Sequence, residues 1–256
     1  MTKYKFLVVG YGTVGKATAL TLRVLGHEVW VYDINPEVLK YEVIDVNTGL
    51  NLDVNAAFIC THERDVFETV ETVKGIERIA VRSTTPPGTI DKLNQIYGNK
   101  VSHIPEFLRE RFWFSDALRP WRIVIGECCK EHGDFYEEVF KPLGVPIIRV
   151  RPIESEVIKL VNNAYLAMLI SFWNEIDILC KRLGLDTKRI AETVKMDPRV
   201  SSYGAEFFGV PFNGKCLPKD LEILIEEFKQ LGLNPMLLEA VKNVNEILKR
   251  NEGKKR

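Results

Sequence analysis

The chain has 256 residues, which is enough for one large domain or two modest ones with a substantial hydrophobic core. Apolar residues make up 46% and charged residues 27%, and the formal net charge is zero, so nothing favours binding to nucleic acid or to an anionic membrane. The sequence opens without a secretory signal pattern, and its least polar run, 164–173, is too short to span a bilayer. We therefore expect a soluble, cytoplasmic protein.

The cysteines predict no cross-linking framework. There are five of them, at irregular spacings that fit neither a set of disulfides nor a zinc motif. The adjacent Cys128 and Cys129 are interpreted as packing residues. The prediction is therefore a protein with reduced thiols and without a metal site.

The amino-terminal stretch predicts a dinucleotide site. An apolar strand over 5–9 leads into G-Y-G-T-V-G at 10–15, a helical pattern, a second strand over 29–32, and Asp33. In this order the glycines let the backbone approach a pyrophosphate at the helix amino terminus. Asp33 is placed to bind the ribose 2′-OH and would repel a 2′-phosphate, which favours NAD over NADP. The residues assigned to the cofactor are Gly10, Gly12, Thr13, Val14, Gly15, Asp33 and Thr61.

Strand and helix patterns continue to alternate as far as residue 150, although 35–53 holds no clear second crossover helix. The alternation predicts an α/β fold, a Rossmann-like doubly wound parallel sheet. Ligands bind such sheets at the carboxyl ends of the strands, where S-T-T-P-P-G-T at 83–89 and the loop at 105–109 should lie. The alternative is that both loops are only proline-rich turns.

The second half is predicted to be all helical. A long central helix over 154–183 is apolar on more than one face, so it should be buried on several sides and could form a homodimer interface. Lys159 and Asn163 share one face of it, directed to solvent or into a site. Residues 1–150 are therefore predicted to form an NAD-binding domain and 151–256 a helical domain for dimerisation and catalysis, with the active site in the cleft between them.

Cys216 lies in F-N-G-K-C-L-P-K-D at 212–220, between a glycine-bearing loop and a predicted helix start. A thiol beside free helix N–H groups and two lysines is expected to have a lowered pKa and to act as a nucleophile. The alternative is a small buried apolar residue. Asp220, four residues later, is near enough to hold a water or a partner side chain.

Taken together, these motifs resemble the UDP-glucose/GDP-mannose dehydrogenase family. The resemblance covers nearly the whole chain, and the matching segments occur in family order. They are G-Y-G-T-V-G at 10–15, S-T-T-P-P-G-T at 83–89, P-E-F-L-R-E at 105–110, R-I-V-I-G at 122–126, K-L-V-N-N-A-Y-L-A at 159–167, F-W-N-E at 172–175, D-P-R at 197–199 and C-L-P-K-D at 216–220.

The resemblance implies oxidation of a nucleotide-sugar C6 alcohol to a carboxylate, a polysaccharide precursor, with NAD as the oxidant. Cys216 would form a thiohemiacetal and then a thioester. Lys159 would stabilise the oxyanion, and Asn163 would hold the reacting oxygen or a water. The remaining assignments are Asp220 and Thr84 as water-ordering residues, Glu106 as acid and base, Lys219 beside the cofactor phosphates, and Phe107, Leu108, Arg109, Phe212 and Gly214 as substrate-binding residues.

The sequence also departs from the family pattern. Pro211, Phe212 and Lys215 occupy loop positions that are usually glycine or another small residue, so the substrate could differ. The family's second α/β domain is expected to be absent after Arg256, and a separate chain could supply it. Two alternatives follow: a non-catalytic NAD-binding dimer, or a dehydrogenase that acts on a smaller substrate.

Overall fold

The computed structural model describes residues 2–39, 53–214 and 216–253. It divides the chain into two compact units, Met1–Lys159 and Leu160–Arg256. This division falls inside one continuous helix, nine residues after the domain boundary predicted at 150/151. Among the described residues, no helix combines the length and the apolar character needed to cross a membrane.

The first unit contains a twisted sheet with helices on both faces. In the described part of the chain the sheet has seven strands in the order β2-β1-β3-β4-β5-β6-β7. The strands are β1 Lys5–Val9, β2 Glu28–Tyr32, β3 Ala56–Ile59, β4 Ile79–Val81, β5 Val101–His103, β6 Ile123–Gly126 and β7 Ile147–Val150. The helices of this unit are α1 Thr13–Val24, α2 Val66–Thr72, α3 Thr89–Tyr97, α4 Trp113–Leu118 and α5 Lys130–Phe140.

The side chains of β1 alternate between two apolar clusters, one on each face of the sheet. Phe6 and Val8 belong to an apolar cluster that includes residues of α1 and α5. Leu7 and Val9 belong to a second cluster that includes residues of α2 and α3. Successive strand side chains point to opposite faces, so a strand covered on both faces reads as an uninterrupted apolar run.

The predicted Rossmann-like fold is confirmed, with one difference in strand direction. Strands β1 to β5 pair in parallel, but β6 pairs antiparallel to β5 through the single residue pair His103↔Gly126. The physical reason is the path of 104–122, which turns back with the short helix α4 instead of crossing the sheet. A connection that does not cross delivers an antiparallel neighbour.

Because of this reversal, we name the two sides of the sheet at which strands begin and end. The carboxyl edge is where β1 to β5 end and β6 begins, and it carries 10–15, 60–62, 82–88 and 104–109. The opposite edge is where β5 begins and β6 ends. Most residues assigned to the cofactor and to catalysis in this unit therefore follow strands that finish at the carboxyl edge.

The second unit is built from helices. Its elements are α6 Pro152–Leu183, which starts in the first unit, α7 Thr187–Val194, α8 Cys216–Gln230 and α9 Met236–Gly253. Residues of α6 at helical spacing, including Leu160, Ala164 and Ala167, form its core together with Leu221 of α8 and Val241 of α9. Asp186 caps the amino terminus of α7, because its carboxylate accepts a hydrogen bond from Lys188 N at 2.9 Å.

Element boundaries follow the sequence pattern closely where local signals are strong. The helix predicted over 89–97 has those bounds. Helix α8 starts at Cys216, two residues before the predicted start at Pro218, because a proline fits anywhere in a first turn that needs no N–H partner. Helix α4 was not predicted, and residues 40–52 lie outside the described part of the chain.

Candidate active site

The glycine loop has the shape that a dinucleotide needs. Gly10 has φ +88°, and a Cβ on Gly15 would lie 1.9 Å from the carbonyl oxygen of Gly10, so both positions require glycine for the backbone itself. A Cβ on Gly12 would meet nothing within 4 Å. The absent side chain at Gly12 therefore keeps space open at the amino terminus of α1, where Thr13 and Val14 are the first helical residues.

Two residues flank this loop on the carboxyl edge. Asp33 accepts hydrogen bonds from Tyr11 N at 2.7 Å and from Asn35 N at 2.8 Å, which fixes its carboxylate beside the glycines. The carbonyl of Thr61, after β3, accepts a hydrogen bond from Ser83 Oγ at 2.6 Å. These residues fit a dinucleotide whose pyrophosphate lies on α1 and whose ribose lies near Asp33.

Lys159 and Glu106 form a nearly buried pair in the first unit. Lys159 Nζ donates to the backbone oxygen of Glu106 at 2.7 Å and to its Oε1 at 3.3 Å, and the two side chains are only 4% and 10% exposed. Glu106 Oε2 accepts a hydrogen bond from Leu108 N at 2.6 Å. An ammonium group held against a carboxylate in such surroundings can stabilise a negative oxygen and exchange a proton.

The loop after Glu106 is braced by stacked and paired side chains. The Phe107 ring lies 4.1 Å from the guanidinium carbon of Arg122. Arg109 donates a bidentate pair of hydrogen bonds to Asp116, from Nε to Oδ2 at 2.9 Å and from Nη2 to Oδ1 at 2.7 Å. The hydrogen bonding with Arg109 lowers the pKa of Asp116 below its usual value. Three residues assigned to the substrate, Phe107, Leu108 and Arg109, are thus fixed by partners within this unit.

A half-buried cation that the sequence analysis did not single out lies in the same region. A cavity of about 40 Å³ adjoins Glu106 and is also lined by Arg82 and Thr18. Arg82 Nε is buried and makes no hydrogen bond with a described residue, and burial lowers the pKa of this guanidinium. The signal in the sequence is a charged residue directly after the apolar strand β4, where the residues of the carboxyl edge lie.

Glu156 was also missed, and it organises the loop that carries Thr84. Its carboxylate accepts hydrogen bonds from Thr85 Oγ1 at 2.9 Å, Gly88 N at 2.6 Å and Ile90 N at 3.1 Å. Glu156 is fully buried, and burial raises its pKa to about 7 against the opposing effect of these three donors. Thr84 itself is half-buried.

His103 makes a second link between a carboxyl-edge loop and the start of α6. Its Nδ1 lies 2.9 Å from Ser155 Oγ and its Nε2 lies 3.2 Å from the carbonyl oxygen of Ser83. Burial lowers the pKa of His103 to about 3, so the ring is neutral at physiological pH. The first turns of α6 therefore hold the end of β5 and the loops that follow β4 and β5, through Ser155, Glu156 and Lys159.

The second unit contains the remaining predicted catalytic residues. Asn163 Nδ2 donates to Asp220 Oδ2 at 2.6 Å, and Asp220 is 1% exposed. Lys219 Nζ lies 3.1 Å from Asp220 Oδ1, but this oxygen makes no hydrogen bond with a described residue. Cys216 is exposed and is the first residue of α8, one turn before Asp220.

The loop before Cys216 is anchored by an aromatic side chain. Phe212, which was assigned to the substrate, is 5% exposed and packs in the apolar core of the second unit. Its carbonyl oxygen accepts a hydrogen bond from Asn245 Nδ2 at 3.0 Å. Gly214 has φ +84°, a conformation that favours glycine, and it is exposed. The aromatic side chain is therefore a core residue that anchors the loop.

An open α/β sheet with a glycine cradle at its carboxyl edge is the fold of dinucleotide-binding domains. Two family models make the assignment more specific. The UDP-glucose/GDP-mannose dehydrogenase NAD binding domain matches residues 41–144, and the central domain of the same family matches 153–247. The chain belongs to the UDP-glucose/GDP-mannose dehydrogenase family.

Individual relatives agree with this assignment. UDP-glucose 6-dehydrogenase TuaD of Bacillus subtilis is 32% identical over 225 residues, which cover 84% of this chain and 48% of the relative. GDP-mannose 6-dehydrogenase of Pseudomonas aeruginosa is 31% identical over 237 residues, covering 85% and 54%. The solved structure of a UDP-glucose dehydrogenase from Pyrobaculum islandicum has a TM-score of 0.87 at 30% identity, covering 97% and 69%. The chain thus spans about half the length of the two bacterial relatives.

Proposed function

We propose that this chain catalyses the NAD-dependent oxidation of the C6 alcohol of a nucleotide sugar to the carboxylate, with Cys216 as the nucleophile. The observation that carries the proposal is the arrangement at the start of α8. An exposed thiol occupies the first helical position, and the buried carboxylate of Asp220 follows one turn later, with one oxygen that is paired with Lys219 but accepts no hydrogen bond from a described residue. A thiol nucleophile needs such a group to order water for the later hydrolysis.

The residues of the glycine cradle and Asp33 would hold NAD, with Lys219 near its phosphates. Bound NAD would accept the hydride that each of the two oxidations removes from the substrate carbon. During the first oxidation, the carbon gives up a hydride and the alcohol oxygen releases its proton to solvent, so that the oxygen becomes a carbonyl. Lys159 would stabilise the negative charge that develops on this oxygen, and Asn163 would help to hold it.

The thiol then acts on the aldehyde. Cys216 sulfur bonds to the carbonyl carbon, and the thiol proton ends on the oxygen, which gives a thiohemiacetal. Loss of a hydride and of the hydroxyl proton converts the thiohemiacetal into a thioester. A water ordered by Asp220 and Thr84 attacks the thioester while Glu106 accepts its proton, the carbon–sulfur bond breaks, and the thiol is regenerated with the acid product.

The partner of each polar group supports these roles. Glu106 is held by Leu108 N and by Lys159, so its carboxylate is oriented before a substrate arrives. Asn163 is held by Asp220 in the same way. Preorganised polar groups stabilise a transition state without the cost of reorganising it during the reaction.

A second copy of this chain is the proposed partner. One stripe of α6 carries five large apolar side chains, each about half exposed, within about 40° of the helix circumference. They are Val161, Tyr165, Phe172, Leu179 and Leu183. Such a stripe, about 33 Å long, is typical of a surface that is covered by another protein. A monomeric mass of 29.3 kDa in solution, measured by light scattering, would contradict the dimer.

Release of NADH with UDP-glucose and with GDP-mannose, for the wild type beside Cys216→Ala, tests the activity. We expect two NADH per acid formed and loss of turnover in the variant. Turnover that persists without the thiol would overturn the covalent mechanism. No turnover with a panel of nucleotide sugars, while calorimetry shows NAD binding, would favour the non-catalytic NAD-binding alternative.

A further inference from the structure

A cluster of soft ligand atoms lies at the opposite edge of the sheet, away from the glycine cradle. Cys128 and Cys129 follow β6, and His132 is in the first turn of α5. The two sulfurs and a ring nitrogen of His132 all lie within 4.8 Å of one another, and Cys128 Sγ is 3.1 Å from His132 Nδ1. Among the residues that the structure describes, this is the only group of histidine, cysteine or acidic side chains so arranged.

The surroundings hold Cys128 in place. Ser102 Oγ lies 3.5 Å from Cys128 Sγ and accepts a hydrogen bond from Cys128 N at 3.4 Å. The same sulfur lies 3.2 Å from the carbonyl oxygen of Asn99. These contacts come from the start of β5, so the sulfur is fixed by a neighbouring strand as well as by its own loop.

The local charges are compatible with a cation. Arg78 acts electrostatically on His132, but its guanidinium is paired with Glu77 at 2.9 Å and Glu131 at 3.2 Å. Tyr136 lies one turn after His132 in α5, and its fully buried hydroxyl makes no hydrogen bond with a described residue.

We propose that Cys128, Cys129 and His132 bind a zinc ion through two thiolates and one imidazole nitrogen. Zinc binds thiolate at about 2.3 Å and imidazole at about 2.0 Å, so the ligand atoms need only a small rearrangement from their present spacing. A water would complete the tetrahedron. On binding, zinc replaces the thiol protons, which are released to solvent, and no oxidant or reductant is involved.

The position of the site indicates a structural role. Strands β5 and β6 are joined by the single residue pair His103↔Gly126, so hydrogen bonding is sparse at this junction. The ligands belong to the β6–α5 turn, and Cys128 contacts β5 through Ser102. Zinc would therefore stabilise the turn where it rests on β5, at the end of the sheet opposite the carboxyl edge.

The test is a zinc titration of the untagged 256-residue chain, stripped with a chelator and kept under a non-thiol reductant, against a coloured competing chelator. We expect one zinc ion per chain. Cys128→Ser, Cys129→Ser and His132→Gln should each weaken zinc binding at least about a hundredfold, since loss of even an outer partner of a metal costs about ten- to a hundredfold. Ser102→Ala should weaken it about tenfold.

Matched controls separate this cluster from other ligands. Cys216→Ser removes an exposed thiol and His62→Gln an exposed histidine, and both should leave zinc binding unchanged. Far-ultraviolet circular dichroism of each metal-free variant checks folding. Should a ligand variant fail to fold, two wild-type measurements replace it: thiolate-to-cobalt charge-transfer absorption with Co²⁺, and protection of Cys128 and Cys129 from alkylation by zinc.

Three outcomes would overturn the proposal. The first is a reduced wild type that retains no more zinc than the variant with all three ligands replaced. The second is loss of the zinc with Cys216→Ser. The third is a disulfide between Cys128 and Cys129 that forms in air, together with no zinc binding after this disulfide is reduced. The two cysteines would then form a redox-active pair and not a metal site.

Discussion

Glu156 in the first unit and Asp220 in the second are both buried carboxylates on a helix, yet their hydrogen bonding differs. Glu156 accepts from a hydroxyl and two backbone N–H groups, so both of its oxygens are engaged by the loop at 85–90. Asp220 accepts one hydrogen bond, from Asn163; its other oxygen lies 3.1 Å from Lys219 Nζ as an ion pair but accepts no hydrogen bond from a described residue. One carboxylate is saturated by the protein, and the other is not.

This difference distinguishes a carboxylate that positions a loop from one that can take part in the reaction. A carboxylate whose oxygens are all engaged by the backbone and a neighbouring hydroxyl has no capacity to bind water or substrate, and its loss disturbs the loop that it holds. A buried carboxylate with an open oxygen has that capacity. We therefore expect substitutions of Glu156 to change stability and substitutions of Asp220 to change turnover.

Asp220→Asn gives the largest expected effect. The amide cannot act as an anionic acceptor for a water, so kcat for NADH release should fall about a hundredfold or more. The melting temperature should change little, because the Asn163 side chain can still donate to the remaining oxygen. Glu222→Gln, an exposed carboxylate on the same helix, is the control and should keep full activity. A large loss of stability with normal turnover of the folded fraction would reverse the comparison.

Glu156→Gln tests the saturated carboxylate through pH. Burial raises the pKa of Glu156 from 4.5 to about 7, so between these values the folded protein keeps a proton that the unfolded chain has released. The contribution of Glu156 to the free energy of unfolding therefore falls as pH rises through this window, by about 3 kcal/mol in total. Glutamine does not titrate, so the free energy of unfolding of the variant should rise relative to that of the wild type between pH 5 and pH 8.

Urea unfolding at the two pH values measures this difference. Glu154→Gln is the matched control, because Glu154 is on the same helix but is solvent-accessible, and its hydrogen bond with Arg151 lowers its pKa. That variant should show a small change of opposite sign. A stability difference between Glu156→Gln and wild type that is independent of pH would mean that Glu156 titrates normally.

His103 should give a pH dependence of the opposite sign. Burial lowers its pKa from 6.5 to about 3, so between these values the unfolded chain binds a proton that the folded protein does not. The contribution of His103 to stability therefore rises with pH and is complete above about 6.5. The free energy of unfolding of His103→Gln, measured with urea, should therefore fall relative to that of the wild type as pH rises from 4 to 7. A difference that does not change with pH would show that the ring has the same pKa in the folded protein as in the unfolded chain.

Much of the first unit is predictable because its signals are local. The glycine spacing at 10–15, the alternation of strands and the helix over 89–97 all depend on neighbouring residues, and each is found in the structure. The antiparallel pairing of β6 depends on the path of 104–122, which carries no comparable pattern. Sequence periodicity therefore identified the strands but not the direction of this one.

The candidate site was predictable only in part, for a related reason. Cys216 and Asp220 are marked by one short motif, and Lys159 and Asn163 by helical spacing. Glu156 shares that face, three residues before Lys159, so the spacing offered a signal for it. Its partners, however, begin 66 residues earlier in the sequence, and no local pattern connects a carboxylate to backbone N–H groups at that distance.

The smallest expected effects concern two adjacent threonines in the loop that Glu156 holds. Thr85 is fully buried and donates to Glu156, so Thr85→Val should lower the free energy of unfolding by about 1 to 2 kcal/mol, the usual loss for a hydrogen bond to a charged group. Thr84 is half-buried and is proposed to order water, so Thr84→Val should change stability by less than about 0.5 kcal/mol but should slow turnover. Urea unfolding and NADH release on both variants separate the two roles. Equal effects on stability and turnover would mean that the loop responds as one unit and that Glu156 does not distinguish its residues.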